Sequence, residues 1–547
     1  MAEKKVMKQS LLIGALTSSF GVFISKALGL LYYSPLSALA GEENMVFYSV
    51  TYTYYDLLLK ISSAGIPFAI AALVAKYAAK NDYKTALVVK KLGTSLVMAL
   101  SFISALIFIL VSEPLARQSM GGFASQSDIE HLKTLFLILL IAVILVPYLS
   151  SLRSYYQGLK RLDLFASSQV LEQLVRVLTI ILAGYVTVKV LKLENIWAIY
   201  AAIAAAGLAA FVAIIFFKLT TRKDDQRIDE LIKCQASAAV SSKAIFSEIV
   251  SLGVPYLLIS FFGTSAQIVN TTFFLNYVTT KANMPVEQAK LSLGILQANC
   301  SKLNAIPQVL TSGFCAGLVP YLTESLEQGD YKKLSKQVVQ IMDTVLFILI
   351  PVLLIFFFFA KDIYFIMYGN NNLELGSSLF RASTSTGLTE TILPIFSSIM
   401  ITLRLKKESV LTLICGGIIK ASTFFICVKL LWAYGMLLST CIASICCMSI
   451  YIVILYKKFD ITFVKTVKRF AVILLASFVM VIPAVIIRNI TPVAYEIRLA
   501  NVGIMLVLGV LMLVIYYFVS IKLSLPQTIF GIKKPNIEKI VNRFKLR

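Results

Sequence analysis

Apolar stretches of about twenty residues recur along this chain from one end to the other, and they restrict its fold more than any other feature. A helix needs roughly 20 apolar residues to cross ~30 Å of hydrocarbon. The composition agrees, because 58% of the 547 residues are hydrophobic and only 14% are charged. The stretches are continuous rather than alternating, which excludes a membrane β-barrel. The sequence therefore predicts an all-α polytopic membrane protein.

The apolar stretches predict about fourteen transmembrane helices. They lie near 11–36, 47–73, 92–112, 132–156, 170–190, 196–217, 246–276, 293–320, 338–359, 377–403, 409–431, 433–456, 469–487 and 499–521. The first stretch is too long for the apolar part of a signal peptide and Lys26 interrupts it, so we expect a membrane span there.

The longest polar connection follows the sixth span and divides the chain. We expect an N-terminal six-helix lobe at 1–217, a cytoplasmic linker at 218–245, a C-terminal six-helix lobe at 246–456, a C-terminal helix pair at 457–521 and a basic tail at 522–547. A weak repeat supports this division, because 64–92 and 304–339 both contain Ile-Pro, then small residues, then Asp-Tyr-Lys. Six spans in each lobe would give both lobes the same orientation.

Pro67 and Pro307 belong to the two copies of this repeat. A proline within a helix removes a backbone hydrogen bond and bends the helix. Bends at matching places suit lobes that rock, so we predict that both prolines are hinges. Ordinary packing kinks are the alternative interpretation.

The net charge of +23 is distributed unevenly. Lys and Arg concentrate at both termini and in every second connection, which is typical of cytoplasmic segments. We therefore expect both termini in the cytoplasm and the tail on anionic lipid headgroups. This distribution argues against nucleic acid as a partner.

Several ionisable residues lie within the predicted spans, where a charge costs at least ~2.5–3.5 kcal/mol. The basic ones are Lys26, Lys60, Arg153, Arg176, Lys302, Arg381 and Lys420, and the acidic ones are Asp56, Glu172, Glu248, Asp343 and Glu390. We expect Arg153, Glu248 and Asp343 to reach water, because they lie near predicted helix ends.

Two of these charges form pairs four residues apart, Asp56 with Lys60 and Glu172 with Arg176. Such pairs stabilise a helix, so both are either structural or functional. Lys26 and Lys302 have no acidic residue within four positions, and each belongs to a different predicted lobe. If both face a central cleft, the cleft is positive and attracts an anion such as phosphate.

The motifs of membrane enzymes are missing from the sequence. His131 is its only histidine, and neither HExxH nor GxxxxGK[ST] occurs. The eight cysteines show no spacing typical of a metal site or a disulfide framework. We therefore expect a transporter that carries no metal or cofactor.

Four segments carry a resemblance to a known family. They are "ISKALGLLY" at 24–32, "YTYYDLLLKISSAGIPFAIAALVAKY" at 52–77, "LRSYYQGLKRLDLFASSQVLEQLVRVL" at 152–178 and "SKLNAIPQVLTSGFCAGLVPYL" at 301–322. The chain resembles the multidrug/oligosaccharidyl-lipid/polysaccharide (MOP) exporters, and more narrowly the MurJ-type lipid II flippases of the Gram-positive branch, which includes spore polysaccharide exporters. Lysine stands at three positions, 26, 60 and 302, where better-known members have arginine. Lysine keeps the charge but loses bidentate phosphate binding.

The resemblance implies a fold like that of the MOP and MATE transporters and a flippase activity. Such a protein moves an undecaprenyl-pyrophosphate-linked sugar, here lipid II, from the inner to the outer leaflet of the bacterial plasma membrane. The implied pyrophosphate-binding cations are Lys26, Lys60, Lys302, Arg176 and Arg381, and the implied supporting or ion-coupling residues are Ser25, Asp56, Glu172 and Glu390. The C-terminal helix pair is the candidate groove for the lipid tail.

Coupling to Na⁺, to H⁺ or to the membrane potential remains open at this point. We expect a monomer that works beside the cell-wall synthesis machinery. The alternatives are a flippase for another lipid-linked oligosaccharide and a cation-coupled multidrug antiporter of the same superfamily. An antiporter would need acidic groups to bind cationic drugs, whereas the charges within the predicted spans are mainly basic.

Overall fold

The computed structural model describes residues 28–29, 32–63, 65–78, 80–121, 125–159, 161–235, 239–282, 284–308, 322, 325–326, 328–491 and 497–530. Within these ranges the regular elements are helices and none is a strand. The α-helices are α1 (Tyr33–Ala40), α2 (Met45–Ser63), α3 (Ile66–Ala78), α4 (Tyr83–Met120), α5 (Gln126–Gly158), α6 (Leu162–Tyr185), α7 (Ile196–Thr220), α8 (Arg222–Cys234), α9 (Ser242–Gly263), α10 (Ser265–Lys281), α11 (Val286–Gly294), α12 (Tyr331–Phe358), α13 (Ala360–Tyr368), α14 (Leu373–Thr402), α15 (Lys406–Phe459), α16 (Val464–Ile490), α17 (Arg498–Lys522) and α18 (Leu525–Phe530). Two π-helical segments, Val186–Val190 and Ile295–Cys300, follow α6 and α11.

The described part of the chain contains ten helices that are long and apolar enough to cross a membrane. This confirms the all-helical membrane class, whereas the predicted total of fourteen spans is not confirmed. Most of the first predicted span, and the second half of the eighth, lie outside the described residues. The predicted span at 377–403 corresponds to α14, which is rich in Ser and Thr and therefore less apolar. The two spans predicted at 409–431 and 433–456 count as one helix, α15.

Helix α15 is nevertheless two helices joined at Trp432, whose backbone is not helical (φ 50°, ψ −123°). The chain turns back on itself at this residue, and Lys420 closes the hairpin. Its fully buried ammonium donates to the carbonyl of Met436 at 3.0 Å and to the hydroxyls of Ser439 at 2.7 Å and Thr440 at 2.9 Å. Lys420 is therefore a packing residue of this hairpin.

The chain divides into two compact units that differ from the predicted lobes. Unit 1 comprises 1–303 and 406–443, and unit 2 comprises 304–405 and 444–547. The five-part division made from the sequence stays a prediction. Buried side chains of α3, α4, α5, α7 and α9 form an apolar core in unit 1, and those of α12, α14, α16 and α17 form one in unit 2.

The two copies of the predicted repeat have the same local structure where each enters its long helix. Asp82 precedes α4 and accepts a hydrogen bond from the backbone N–H of Thr85 at 3.0 Å. Asp330 precedes α12 and accepts one from Lys333 at 2.9 Å, with nearly the same backbone angles. Each aspartate is thus an N-cap, which explains why Asp-Tyr-Lys occurs in both copies.

The predicted hinge Pro67 does not lie inside a continuous helix. Helix α2 ends at Ser63, Gly65 has a positive φ of 84° that favours glycine, and Pro67 occupies the first turn of α3. A proline in a first turn sacrifices no helical hydrogen bond, so the helix break itself re-orients the chain here. Pro307 is buried in the helical stretch 301–308. The hinge role of both residues stays a prediction.

The polar connection at 218–245 contains α8 and is attached to the start of α4. Gln235 donates its side-chain amide to Asp82 at 2.8 Å and accepts from the backbone N–H of Lys84 at 3.0 Å. Burial alone would raise the pKa of the Asp82 carboxyl, but the hydrogen bonds from Thr85 and Gln235 and the nearby charge of Lys84 bring this pKa below its usual value. The described part of this connection is therefore bonded to the start of α4 within unit 1.

Candidate functional site

A row of tyrosines lines one side of α2 and forms the wall of the candidate site. Tyr48, Tyr52 and Tyr55 are spaced by four and three residues, so their side chains project from the same face. The rings of Tyr48 and Tyr52 stack with centroids 5.5 Å apart, and Tyr52 meets Tyr55 edge to face at 5.5 Å. The hydroxyls of Tyr32 and Tyr48 hydrogen-bond at 2.7 Å, which joins the residue before α1 to this row.

Lys302 places its ammonium against these aromatic rings. Its Nζ lies 4.9 Å from the ring centroid of Tyr52, 5.7 Å from that of Tyr33 and 5.8 Å from that of Tyr32. Among the ion pairs of the described residues, none involves Lys302. The negative faces of the tyrosine rings therefore stabilise this cation without neutralising it.

A cavity of about 200 Å³ lies beside Lys302 within unit 1. Its polar lining comes from α2, α10 and the end of the π-helical segment, and comprises Ser49, Thr53, Asp56, Gln267, Gln297, Ser301 and Lys302. Its aromatic lining is Tyr33, Tyr48 and Tyr52. Convergent polar groups in an aromatic cavity are typical of a ligand site, and this volume suits a part of a ligand rather than a large one.

A buried group of three charges, which we call the ion triad, lies on α5 and α6. Glu172 accepts from Arg176 through one carboxylate oxygen and from Arg153 through the other, both at 2.8 Å. Arg153 also donates through Nε to Ser168 at 2.9 Å. Two guanidinium groups share one carboxylate, so the ion triad retains one positive charge.

The ion triad and Lys302 are electrostatically linked. Arg176 lies near enough to Lys302 for the two charges to interact, and Tyr32, Tyr52 and Tyr55 lie near Arg176. The Nε of Arg176 is buried and, among the described residues, has no hydrogen-bond partner. We call Lys302, Arg176 and these three tyrosines the cation–tyrosine site. Two cations near one another, with a donor unused, form a site that can bind an anion.

Comparisons with known proteins place this site in a family context. The sequence model for the polysaccharide biosynthesis protein family matches residues 11–326, which include every residue of the cation–tyrosine site. The chain belongs to this family.

The similarity of this chain to named proteins supports this assignment. The chain is 27% identical over 486 residues to lipid II flippase MurJ of Bacillus subtilis (strain 168), covering 88% of this chain and 89% of that protein. Its fold is similar to a structure of lipid II flippase MurJ in an inward closed conformation, with a TM-score of 0.65 and 16% identity over 93% of this chain and 100% of that one. It is also similar to an inward-facing MATE-family multidrug transporter of the MOP superfamily, with a TM-score of 0.62 and 13% identity over 80% of this chain and 96% of that one. The predicted resemblance is thus confirmed, and the relatives of this family member are transporters rather than enzymes.

The other site residues predicted from the sequence lie in different surroundings. Lys60 forms the predicted pair with Asp56 at 2.5 Å, and only Asp56 lines the cavity. Arg381 and Glu390 are exposed on α14 in unit 2, where Arg381 donates through Nε to the carbonyl of Phe357 at 3.1 Å. Ser25 and Lys26 lie outside the described residues, so their roles stay predictions.

The expectation that Arg153 and Asp343 reach water is wrong. Arg153 is 8% exposed and belongs to the ion triad, and Asp343 is fully buried and forms an ion pair with Arg469. Both charges lie close to helix ends in the sequence, but neighbouring helices cover them. Glu248 is half-buried and binds Lys76 at 3.0 Å.

The tyrosines are the residues that sequence reasoning missed. Their spacing along α2 is visible in "YSVTYTYY" at 48–55 and indicates one aromatic face. An aromatic stripe on an apolar helix is usually packing, so this spacing alone does not indicate a site. The partner that turns these rings into a cation site, Lys302, lies some 250 residues further along the chain.

Proposed function

We propose that this protein moves lipid II, an undecaprenyl-pyrophosphate-linked peptidoglycan precursor, from the inner to the outer leaflet of the bacterial plasma membrane. The observation that carries the proposal is Lys302, whose charge is held by tyrosine rings beside a polar cavity. The named relative that supports the substrate is the MurJ flippase of Bacillus subtilis.

The chemistry of the cation–tyrosine site suits a pyrophosphate. Lysine is a compact charge with three donors, and it binds phosphate oxygens as a point charge. Arg176 adds a second positive charge and an unused Nε donor. A doubly charged headgroup would gain both interactions on entering, whereas a neutral lipid would gain neither. Lys60 and Arg381 would meet the headgroup at other stages, and Lys26 would complete the site from the first span.

Transport would proceed by alternating access, with the site opening first to one leaflet and then to the other. In this scheme both termini face the cytoplasm, the tail rests on anionic lipids, and α16 and α17 line a groove for the lipid tail. The protein would act as a monomer beside the cell-wall synthesis machinery. A coupling ion, Na⁺ or H⁺, would use Asp56, Glu172 or Glu390, or the membrane potential would supply the driving force.

The similarity to a MATE-family structure favours a second candidate, a cation-coupled multidrug antiporter. The charges count against it. A cationic drug needs an acidic site, whereas Glu172 is shared between two arginines and Asp56 is bound to Lys60. A different lipid-linked oligosaccharide fits the same charges as lipid II does, because both carry a pyrophosphate.

Replacement of the flippase in a bacterial host tests the proposal. A host that depends on this chain alone should present lipid II in the outer leaflet, measured with a membrane-impermeant probe, and should lose it on depletion. Unchanged outer-leaflet lipid II after depletion would refute the flippase function. Another lipid-linked sugar that disappears from the outer leaflet while lipid II remains would identify the alternative substrate.

A further inference from the structure

The π-helical segment Ile295–Cys300 ends two residues before Lys302. A π turn carries hydrogen bonds five residues apart and therefore holds more residues than an α turn. Here the N–H of Ser301 donates to the carbonyl of Leu296, five residues earlier, as well as to that of Ala298. Short π segments are common at functional sites.

The helix before this segment is fixed in place within unit 1. Gly294 lies so close to α2 that a Cβ at this position would be 3.1 Å from the backbone nitrogen of Val46. One turn earlier, Lys290 forms an ion pair with Asp128 of α5. With α11 held at both points, a change of winding in the π segment would be passed on to Lys302.

The side chain of Gln297 bonds the π segment to two neighbouring helices. The Oε1 of Gln297 lies 3.0 Å from the hydroxyl of Thr271 on α10 and 3.4 Å from that of Thr53 on α2. The two hydroxyls lie 3.3 Å from each other. Gln297 is thus the acceptor at the centre of a small polar network that spans three elements.

We propose that Gln297 is a positioning residue, and that its hydrogen bonds hold the π winding which turns Lys302 onto Tyr52. An α-helix has 3.6 residues per turn, so each residue occupies about 100° around the helix axis. If the segment relaxed to α winding, a shift of one residue would therefore turn the following side chains by about 100° around that axis. That rotation removes the ammonium from the ring that now lies 4.9 Å away. The proposal rests on the anion-binding role of Lys302 in the proposed function.

The rate at which a cysteine at position 302 reacts with a thiol reagent reports which way that side chain points. This measurement needs no substrate. Lys302→Cys is placed in a full-length chain whose eight native cysteines are replaced, and a charged water-soluble thiol reagent is applied in nanodiscs. Addition of Gln297→Leu should slow the labelling about tenfold, the effect of losing roughly one hydrogen bond. Gln118→Leu is the matched control, since Gln118 also bonds to α10, at Asn276, but does not touch the π segment. It should leave the labelling unchanged.

Binding of inorganic pyrophosphate to the chain with Lys302 intact gives the second readout, measured by calorimetry. Gln297→Leu should weaken this binding about tenfold while Gln118→Leu keeps it. If Gln297→Leu does not fold, Thr271→Val removes the nearer hydroxyl and should give the same result in both assays. Unchanged labelling and unchanged affinity in the folded variant would overturn the positioning role. If Lys302→Ala still binds pyrophosphate, the proposed anion site fails, while the labelling result still decides the role of Gln297.

Discussion

Arg176 and Lys302 lie in the same compact unit, and both are cations of predicted membrane spans, but different groups stabilise them. Arg176 shares the carboxylate of Glu172 with Arg153 in the buried ion triad. Lys302 meets three tyrosine rings, and no ion pair of the described residues includes it. Glu172 offsets one of the two guanidinium charges of the ion triad, whereas aromatic faces stabilise Lys302 without offsetting its charge.

This difference separates structure from function within one site. Within the ion triad, Glu172 should matter chiefly for stability, because removing it leaves two guanidinium charges uncompensated in the protein interior. Lys302 should matter chiefly for transport, because its charge has no internal counterpart among the described residues. A Glu172 variant should therefore lower thermal stability, whereas a Lys302 variant should lower activity and leave thermal stability near the wild-type value.

The largest expected effect is the loss of transport in Lys302→Ala. The variant removes the charge that would bind the pyrophosphate, while the protein should still reach the membrane and unfold near the wild-type temperature. Lys302→Arg should keep activity because it keeps the charge. Complementation of a flippase-deficient host measures the effect, with Lys189→Ala, an exposed lysine of the other π-helical segment, as the matched control. Wild-type growth of Lys302→Ala would remove this residue from the mechanism.

Glu172→Gln should have the next largest effect, on stability. Breaking a buried ion pair by removing one partner costs about 3–5 kcal/mol, so the purified variant should unfold at a clearly lower temperature. Glu194→Gln, at an exposed position before α7, should unfold like the wild type. If Glu172→Gln is as stable as the wild type but inactive, Glu172 acts in the transport mechanism rather than in stability.

Tyr52→Leu should have an intermediate effect on anion binding. It removes the nearest ring from Lys302, and a cation–π contact contributes about 0.5–2 kcal/mol, equivalent to roughly 2- to 30-fold in affinity. Tyr52→Phe keeps the ring and should bind pyrophosphate much like the wild type, as measured by calorimetry. Equal loss in both variants would show that the hydroxyl, rather than the ring face, is what Lys302 needs.

Lys60→Ala should have the smallest effect. Its ion pair with Asp56 is partly exposed and contributes at most about 1 kcal/mol to stability. Removing Lys60 leaves the Asp56 carboxylate unpaired at the cavity, so pyrophosphate binding should weaken by a few-fold, and less so at high salt. Asp56→Asn combined with Lys60→Ala should restore it. A complete loss of transport in Lys60→Ala, unrelieved by Asp56→Asn, would make Lys60 as important for transport as Lys302 and would contradict this order of effects.

The sequence predicts the local features of this protein well and its long-range contacts poorly. Both pairs four residues apart, Asp56–Lys60 and Glu172–Arg176, are present because helix geometry alone brings them together. Arg153 reaches Glu172 only through the packing of α5 on α6, which no periodicity reveals.

The winding of individual segments could not be predicted either. The π segment before Lys302 has no signature in hydropathy, and the break between α2 and α3 depends on the backbone of Gly65 as much as on Pro67. Both features depend on tertiary contacts, such as those of Gln297 with Thr53 and Thr271. The all-helical class, in contrast, follows from the lengths of the apolar stretches.

The most direct test of the account is the leaflet accessibility of lipid II in vesicles that contain only the purified protein and its substrate. Lipid II is placed in one leaflet, and its arrival in the other is followed with a membrane-impermeant reagent. The account predicts transfer by the wild type and by Lys302→Arg, and none above protein-free vesicles by Lys302→Ala. Transfer by Lys302→Ala at the wild-type rate would contradict it.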